Sequence, residues 1–199
     1  MSTGRLEAFT DGVIAILITV MVLELREPDG ASWHALHSVL PTVFTYVLSF
    51  IYLGIYWNNH HHMLQATERV TGGVLWANLH LLFWLSLVPA ATSWLGRNDF
   101  AEVPAAIYGM LLLAAAIAYY LLQTLIVRSQ GDGSTLARAI GRDWKGKLSP
   151  LLYISGVLLA FVEHWLAVAM YALVAAIWII PDRRVEHLLN AGSQDHPAR

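Results

Sequence analysis

RLEAFTDGVIAILITVMVLEL, residues 5–25, decides the fold class. Between Asp11 and Glu24 every residue is apolar or small except Thr19. A bilayer core about 30 Å thick is crossed by roughly 20 residues of helix. The stretch has that length, with Arg5, Glu7 and Asp11 confined to its first turns. It carries acids where a signal peptide carries bases, and it ends without an A-x-A cleavage site. It therefore predicts a retained membrane helix.

The rest of the chain agrees with lipid as the solvent. The 199 residues are 57% hydrophobic and 13% charged, against about 25% charged in soluble domains. Mean hydropathy is +0.53. The net charge of -2 and the lack of a basic stripe argue against a nucleic-acid partner. Cysteine is absent, which excludes disulfides and thiolate metal sites. Ten arginines stand against two lysines, a bias of GC-rich bacterial genomes.

Six apolar segments follow one another, at about 5–25, 33–60, 69–95, 103–127, 148–162 and 165–180. Together they predict an all-α integral membrane protein, one six-helix domain over 1–181 without internal duplication. Residues 182–199 read as a cytoplasmic tail, disordered in part. Pro89 should bend the third segment toward its end. The last two segments are short for spans and are separated only by Glu163 and His164. One kinked helix there would place both polar residues at the bilayer centre, at a cost of about 3 kcal/mol for a charge. Two short crossings are the better reading. A short amphipathic helix is expected around 134–144, in the longest connection.

Basic residues set the orientation. With a cytoplasmic N-terminus and six crossings, Arg5, Arg69, Arg128, Arg138, Arg142, Lys145, Lys147, Arg183, Arg184 and Arg199 fall inside. Only Arg26 and Arg97 fall outside. Five crossings would scramble this split, so both termini are expected in the cytoplasm.

Helical phase separates the oddities of the first segment. At about 100° per residue, Gly12, Ile16, Thr19 and Leu23 fall within roughly 60° of one another. Their spacing of four, three, four suits a helix–helix seam. Asp11 points about 140° from Ile16, and Arg5 about 120° from Asp11. Glu7 and Asp11 are i,i+4 neighbours of like charge, so Asp11 needs a partner on another helix. The seam also admits a plain packing reading, with Thr19 bonded back to the carbonyl of Ala15.

Two further polar clusters lie at the predicted inner side, YWNNHHHML from Tyr56 and WANLHLLFWLSLVP from Trp76. Arg5, Asp11, His60, His61 and Asn78 are placed to form one buried hydrogen-bonded network, the usual state of ionisable groups at depth. The three consecutive histidines also suggest metal transport. Successive helical residues diverge by about 100°, so they cannot converge on one ion. No carbonyl-filter motif, voltage-sensor helix, phosphate-binding loop or nucleophile elbow occurs, and no enzyme activity or resident cofactor is expected.

These patches resemble the transmembrane protein 175 family of endosomal and lysosomal potassium channels. Its first-helix motif R-x-x-x-F-S-D is matched by Arg5, Phe9, Thr10 and Asp11, with threonine replacing serine and keeping the hydroxyl. Trp57, His60 and His61 match its second-helix W-x-x-H-H, and Asn78 through Pro89 its third-helix pattern.

The resemblance implies a passive potassium-selective channel in the cell membrane. A single six-helix repeat implies a homotetramer with the first helices around the pore. The hydrophobic residue five places after the motif aspartate maps to Ile16 as the constriction, followed by Thr19 and Leu23. Arg5, Phe9 and Asp11, with His60, His61 and Asn78, would then hold the helix angle, and potassium and other monovalent cations would be the permeating partners. The alternatives are histidine-dependent metal transport and a non-conducting membrane scaffold.

Overall fold

A computed structural model describes residues 2–131 and 144–179, which form seven α-helices and no strand among the described residues. They are α1 (Thr3–Leu23), α2 (Trp33–Gln65), α3 (Gly72–Ser86), α4 (Val88–Arg97), α5 (Glu102–Gln130), α6 (Trp144–Ala160) and α7 (His164–Ile179). Among the described residues, four units are long and apolar enough to cross a membrane: α1, α2, α3 with α4, and α5. The expected tail and most of the expected amphipathic helix lie outside the described residues; Trp144 opens α6.

The third segment is two helices rather than one bent helix. Pro89 sits in the first turn of α4. It offers no N–H to the carbonyl four residues earlier, and its ring crowds that carbonyl. The helix therefore closes at Leu87, whose N–H bonds to Trp84 O at 3.2 Å, and restarts with Ala91 N–H to Leu87 O at 3.1 Å. The segment begins at Gly72 rather than near residue 69, because the Thr71 hydroxyl caps it by accepting from Val74 N–H. α2 runs on to Gln65 rather than ending near 60. His60, His61 and His62 are thus inside a helix, with no glycine or proline between His60 and Ala66 to stop it.

Contacts sort the helix ends into two sets. At one end Thr3 donates to Thr67 O at 3.2 Å, and Tyr119 to Asn59 O at 3.3 Å. At the other, Arg97 lies 3.7 Å from the Glu24 carboxylate, and Phe100 packs on Phe44 and Trp165. This alternation is that of a multi-pass bundle. Phe100 has φ 61°, and Asp99 before it φ 47°. Left-handed backbone costs roughly 1–2 kcal/mol per residue outside glycine. Burial of the Phe100 ring between Phe44 and Trp165 holds the turn between α4 and α5.

α6 and α7 form a hairpin against α5. Their described parts, seventeen and sixteen residues, span about 25 Å each. Tyr171 wedges the hairpin to α5: a Cβ at Gly109 or Gly156 would run into its ring. Its hydroxyl donates to Ala105 O at 3.1 Å, and Tyr52 donates to Tyr171 O at 2.6 Å. In lipid, apolar side chains gain little by leaving the solvent, so close packing and such hydrogen bonds carry the association.

Candidate functional site

α1 has two opposed faces. Leu6, Thr10, Ile14, Leu17 and Met21 are buried against the bundle. Gly12, Ile16, Thr19 and Leu23 are all exposed, Ile16 at 61% and Leu23 at 82%. The two sets are centred about 150° apart on the helical wheel. Among the described residues the chain thus packs one side of α1 and leaves the periodic seam uncovered. The Thr19 hydroxyl donates to Ile16 O at 2.7 Å, one residue later than the expected Ala15 carbonyl. Threonine can reach back three or four residues on a helix, and here its rotamer selects the nearer carbonyl. The bond uses the only hydroxyl proton and leaves the oxygen lone pairs on the exposed face.

The buried face is tied down toward the N-terminal end of α1. Asn78 donates from Nδ2 to Thr10 Oγ1 at 3.0 Å and meets His60 Nε2 through Oδ1 at 2.7 Å. All three side chains are buried, none more than 1% exposed. Since Asn78 Oδ1 is an acceptor, His60 carries its proton on Nε2. One amide therefore bridges α1, α2 and α3.

The motif acids bond separately, along the rim of α1 and α2. Glu7 Oε1 meets His61 Nδ1 at 2.5 Å, and Gln65 meets His61 Nε2 at 2.8 Å. Trp57 Nε1 donates to Asp11 Oδ1 at 3.0 Å. The single network expected from sequence is therefore three local contacts. Thr10 proved to be the motif's buried member. Arg5 is exposed and makes no ion pair among the described residues, and Phe9 is 50% exposed. The reason is phase: Arg5 and Phe9 fall within about 60° of Gly12, on the seam side.

The histidines diverge as their helical phase requires. His60 turns to Asn78 and His61 to Glu7. Among the described residues no three His, Asp or Glu side chains are grouped as a metal ion needs.

At the C-terminal end of α1, Glu24 is paired with Arg97, while Glu27 and Asp29 are exposed. Sequence reasoning missed a set of contacts among α2, α4 and α5 behind this end of α1. Thr92 Oγ1 lies 2.6 Å from Ser49 Oγ and 2.7 Å from Val88 O, and Ser49 Oγ lies 2.8 Å from Tyr108 Oη. Isolated hydroxyls in apolar helices leave no periodic signal; only their placement on three different predicted helices was readable.

Comparison with known proteins places this geometry. Residues 5–89 match the family model for the endosomal/lysosomal potassium channel TMEM175. A potassium channel of Chryseobacterium sp. (strain P1-3) is 52% identical over 189 residues, 95% of this chain and 98% of the relative. A potassium channel of Streptomyces collinus is 38% identical over 135 residues, 64% of this chain and 66% of the relative. The crystal structure of a lysosomal potassium-selective channel TMEM175 homolog from Chamaesiphon minutus superposes with a TM-score of 0.79 at 28% identity, covering 90% of this chain and 97% of that one.

Proposed function

The chain belongs to the TMEM175 family of potassium channels, and from that premise we propose that it is a passive, potassium-selective leak channel whose pore is lined by α1 in a homotetramer. It is a multi-pass membrane protein and an ion channel, not an enzyme. The observation that carries the pore reading is the bare seam of α1. Among the described residues Gly12, Ile16, Thr19 and Leu23 are not covered by any other helix, while the opposite face is fully packed.

Four such seams around an axis would stack an Ile16 ring, a Thr19 ring and a Leu23 ring. Helical carbonyls are occupied by backbone bonds, so a filter of the carbonyl-cage kind is not available to this helix. Discrimination then comes from pore width, partial dehydration at Ile16 and Leu23, and the lone pairs of four Thr19 oxygens. An apolar Ile16 ring can also close the pore by dewetting. The contacts at Thr10 and Asn78, Glu7 and His61, and Asp11 and Trp57 hold the helix at its angle. Glu27 and Asp29 attract cations to the outer mouth. The basic residues of the inner loops support a cell-membrane protein of bacterial type with both termini in the cytoplasm. The histidine-dependent metal-transport alternative has no grouped ligand set among the described residues to rest on.

The test is flux from proteoliposomes under potassium or sodium gradients, with native mass measurement of the assembly. Potassium flux above sodium flux from a tetramer is expected. Equal fluxes would overturn the selectivity, and a conducting dimer would overturn the fourfold pore.

A further inference from the structure

The hydroxyls of Thr92, Ser49 and Tyr108 join α4, α2 and α5 in a chain that ends on the carbonyl of Val88. All three residues are buried, Ser49 and Tyr108 completely. The α1 side chain resting on this chain is Met21, 2% exposed, its sulfur 3.9 Å from Thr92 Oγ1. Met21 points about 160° from Leu23 and Thr19 on the helical wheel. It is therefore the back of the helix at the level where Thr19 and Leu23 form its front.

α1 is thus held from behind at two heights. The inner hold, Asn78 on Thr10, lies nine residues before Thr19, about 14 Å along the axis. The outer hold, Thr92 under Met21, lies only two residues away, about 3 Å. A given rotation of α1 at the outer hold is passed almost whole to Thr19 and Leu23. The same rotation at the inner hold is diluted by more than two turns of helix. The Thr92 proton goes to Val88 O at 2.7 Å, so Met21 rests on Thr92 by packing alone. The directional bonds to Val88 O and Ser49 fix the Thr92 side chain and thereby the shape of the seat under the flexible Met21.

We propose that Thr92, supported by Ser49 and Tyr108, is a positioning residue for permeation: it fixes the rotation of α1 at Thr19 and Leu23 and so sets discrimination among monovalent cations. The inference rests on the reading of α1 as the pore helix.

Reversal potentials across planar bilayers with potassium opposite sodium test it, alongside melting temperature and native mass of the same preparations. Thr92→Val keeps the side-chain shape and removes the hydroxyl; Thr92→Ser keeps the hydroxyl. Thr92→Val is expected to lower the potassium-to-sodium permeability ratio about fivefold, the scale of one lost hydrogen bond, while still forming tetramers. Thr92→Ser is expected to stay close to the wild-type ratio. A wild-type ratio in Thr92→Val would overturn the proposal, as would an equal fall in both variants. If Thr92→Val fails to assemble, Tyr108→Phe takes its place, since it removes one hydroxyl and leaves the ring buried. A lowered ratio there supports the proposal and an unchanged ratio overturns it. Absence of cation current in the wild type would instead remove the channel reading itself.

Discussion

Thr19 donates its hydroxyl to the carbonyl of Ile16, 2.7 Å away, on the exposed face of α1. A bond to the helix's own backbone and a role at the pore are compatible, because only the proton is used. The bond fixes the oxygen in place and presents its lone pairs outward. Thr19→Ser should preserve this geometry, and Thr19→Ala should remove the oxygen. In bilayers with potassium opposite sodium, the alanine variant is expected to lose roughly tenfold in permeability ratio, equivalent to about 1.4 kcal/mol. The serine variant should stay close to wild type. A wild-type ratio in Thr19→Ala would remove threonine from the selectivity account.

Ile16 is 61% exposed beside that hydroxyl. As an apolar ring it forces an ion to shed part of its water shell. Ile16→Asn supplies polar atoms at the same level without touching the buried face of α1. Potassium flux from liposomes is expected to rise several-fold, with selectivity reduced and native mass unchanged. Unaltered flux would place the constriction elsewhere.

Asn78 bridges Thr10 and His60 in the protein interior. Asn78→Leu leaves both partners buried without a bond, and each orphaned group costs about 1–3 kcal/mol. A clear fall in melting temperature in detergent is expected. Asn78→Asp supplies acceptors only, so the bond to Thr10 survives only if the Thr10 hydroxyl becomes the donor. Stability equal to wild type in Asn78→Leu would show that the bridge is dispensable.

Asp11 and Trp57 meet on the rim, where Trp57 is 45% exposed. Losing this bond should cost one chain less than losing the Asn78 bridge. The pair lies between the packed face and the bare seam of α1, at the border where neighbouring copies would meet. Asp11→Ala and Trp57→Phe are each expected to lower the tetramer fraction by native mass measurement, with smaller changes in melting temperature. The opposite order, melting affected and assembly spared, would make the pair purely internal.

The seam of α1 was readable because periodicity is a property of one helix. Ile16, Thr19 and Leu23 fall on one face whatever surrounds them, and their common exposure agrees with that. A disturbance at Pro89 was readable for the same reason, since proline acts on its own backbone, but it was read as a bend and the structure shows a break before α4. The inner contacts were legible only as a collection of polar residues at one level. Which of them pair depends on helix rotation, and rotation is set by packing partners far apart in sequence. Arg5 and Phe9 could have been set apart from the cluster by phase alone, as their wheel positions match the seam. The hydroxyl chain behind Met21 was not legible, because Ser49, Thr92 and Tyr108 each look like an incidental polar residue in an apolar segment.

Tyr171 fills the space left by Gly109 and Gly156, and its own exposure is 0%. Gly156→Ala should drive the new methyl into that ring. Overpacking typically costs about 1–3 kcal/mol, and a rigid ring held by its bond to Ala105 O can yield little. Tyr171→Leu loses that bond and part of the ring volume, and is destabilising alone. In the double variant the shorter side chain makes room for the methyl. Its loss of melting temperature should therefore be smaller than the sum of the two single losses, a coupling of about 0.5–3 kcal/mol for residues in direct contact. Strictly additive losses would show that the hairpin of α6 and α7 is not seated on α5 through this wedge.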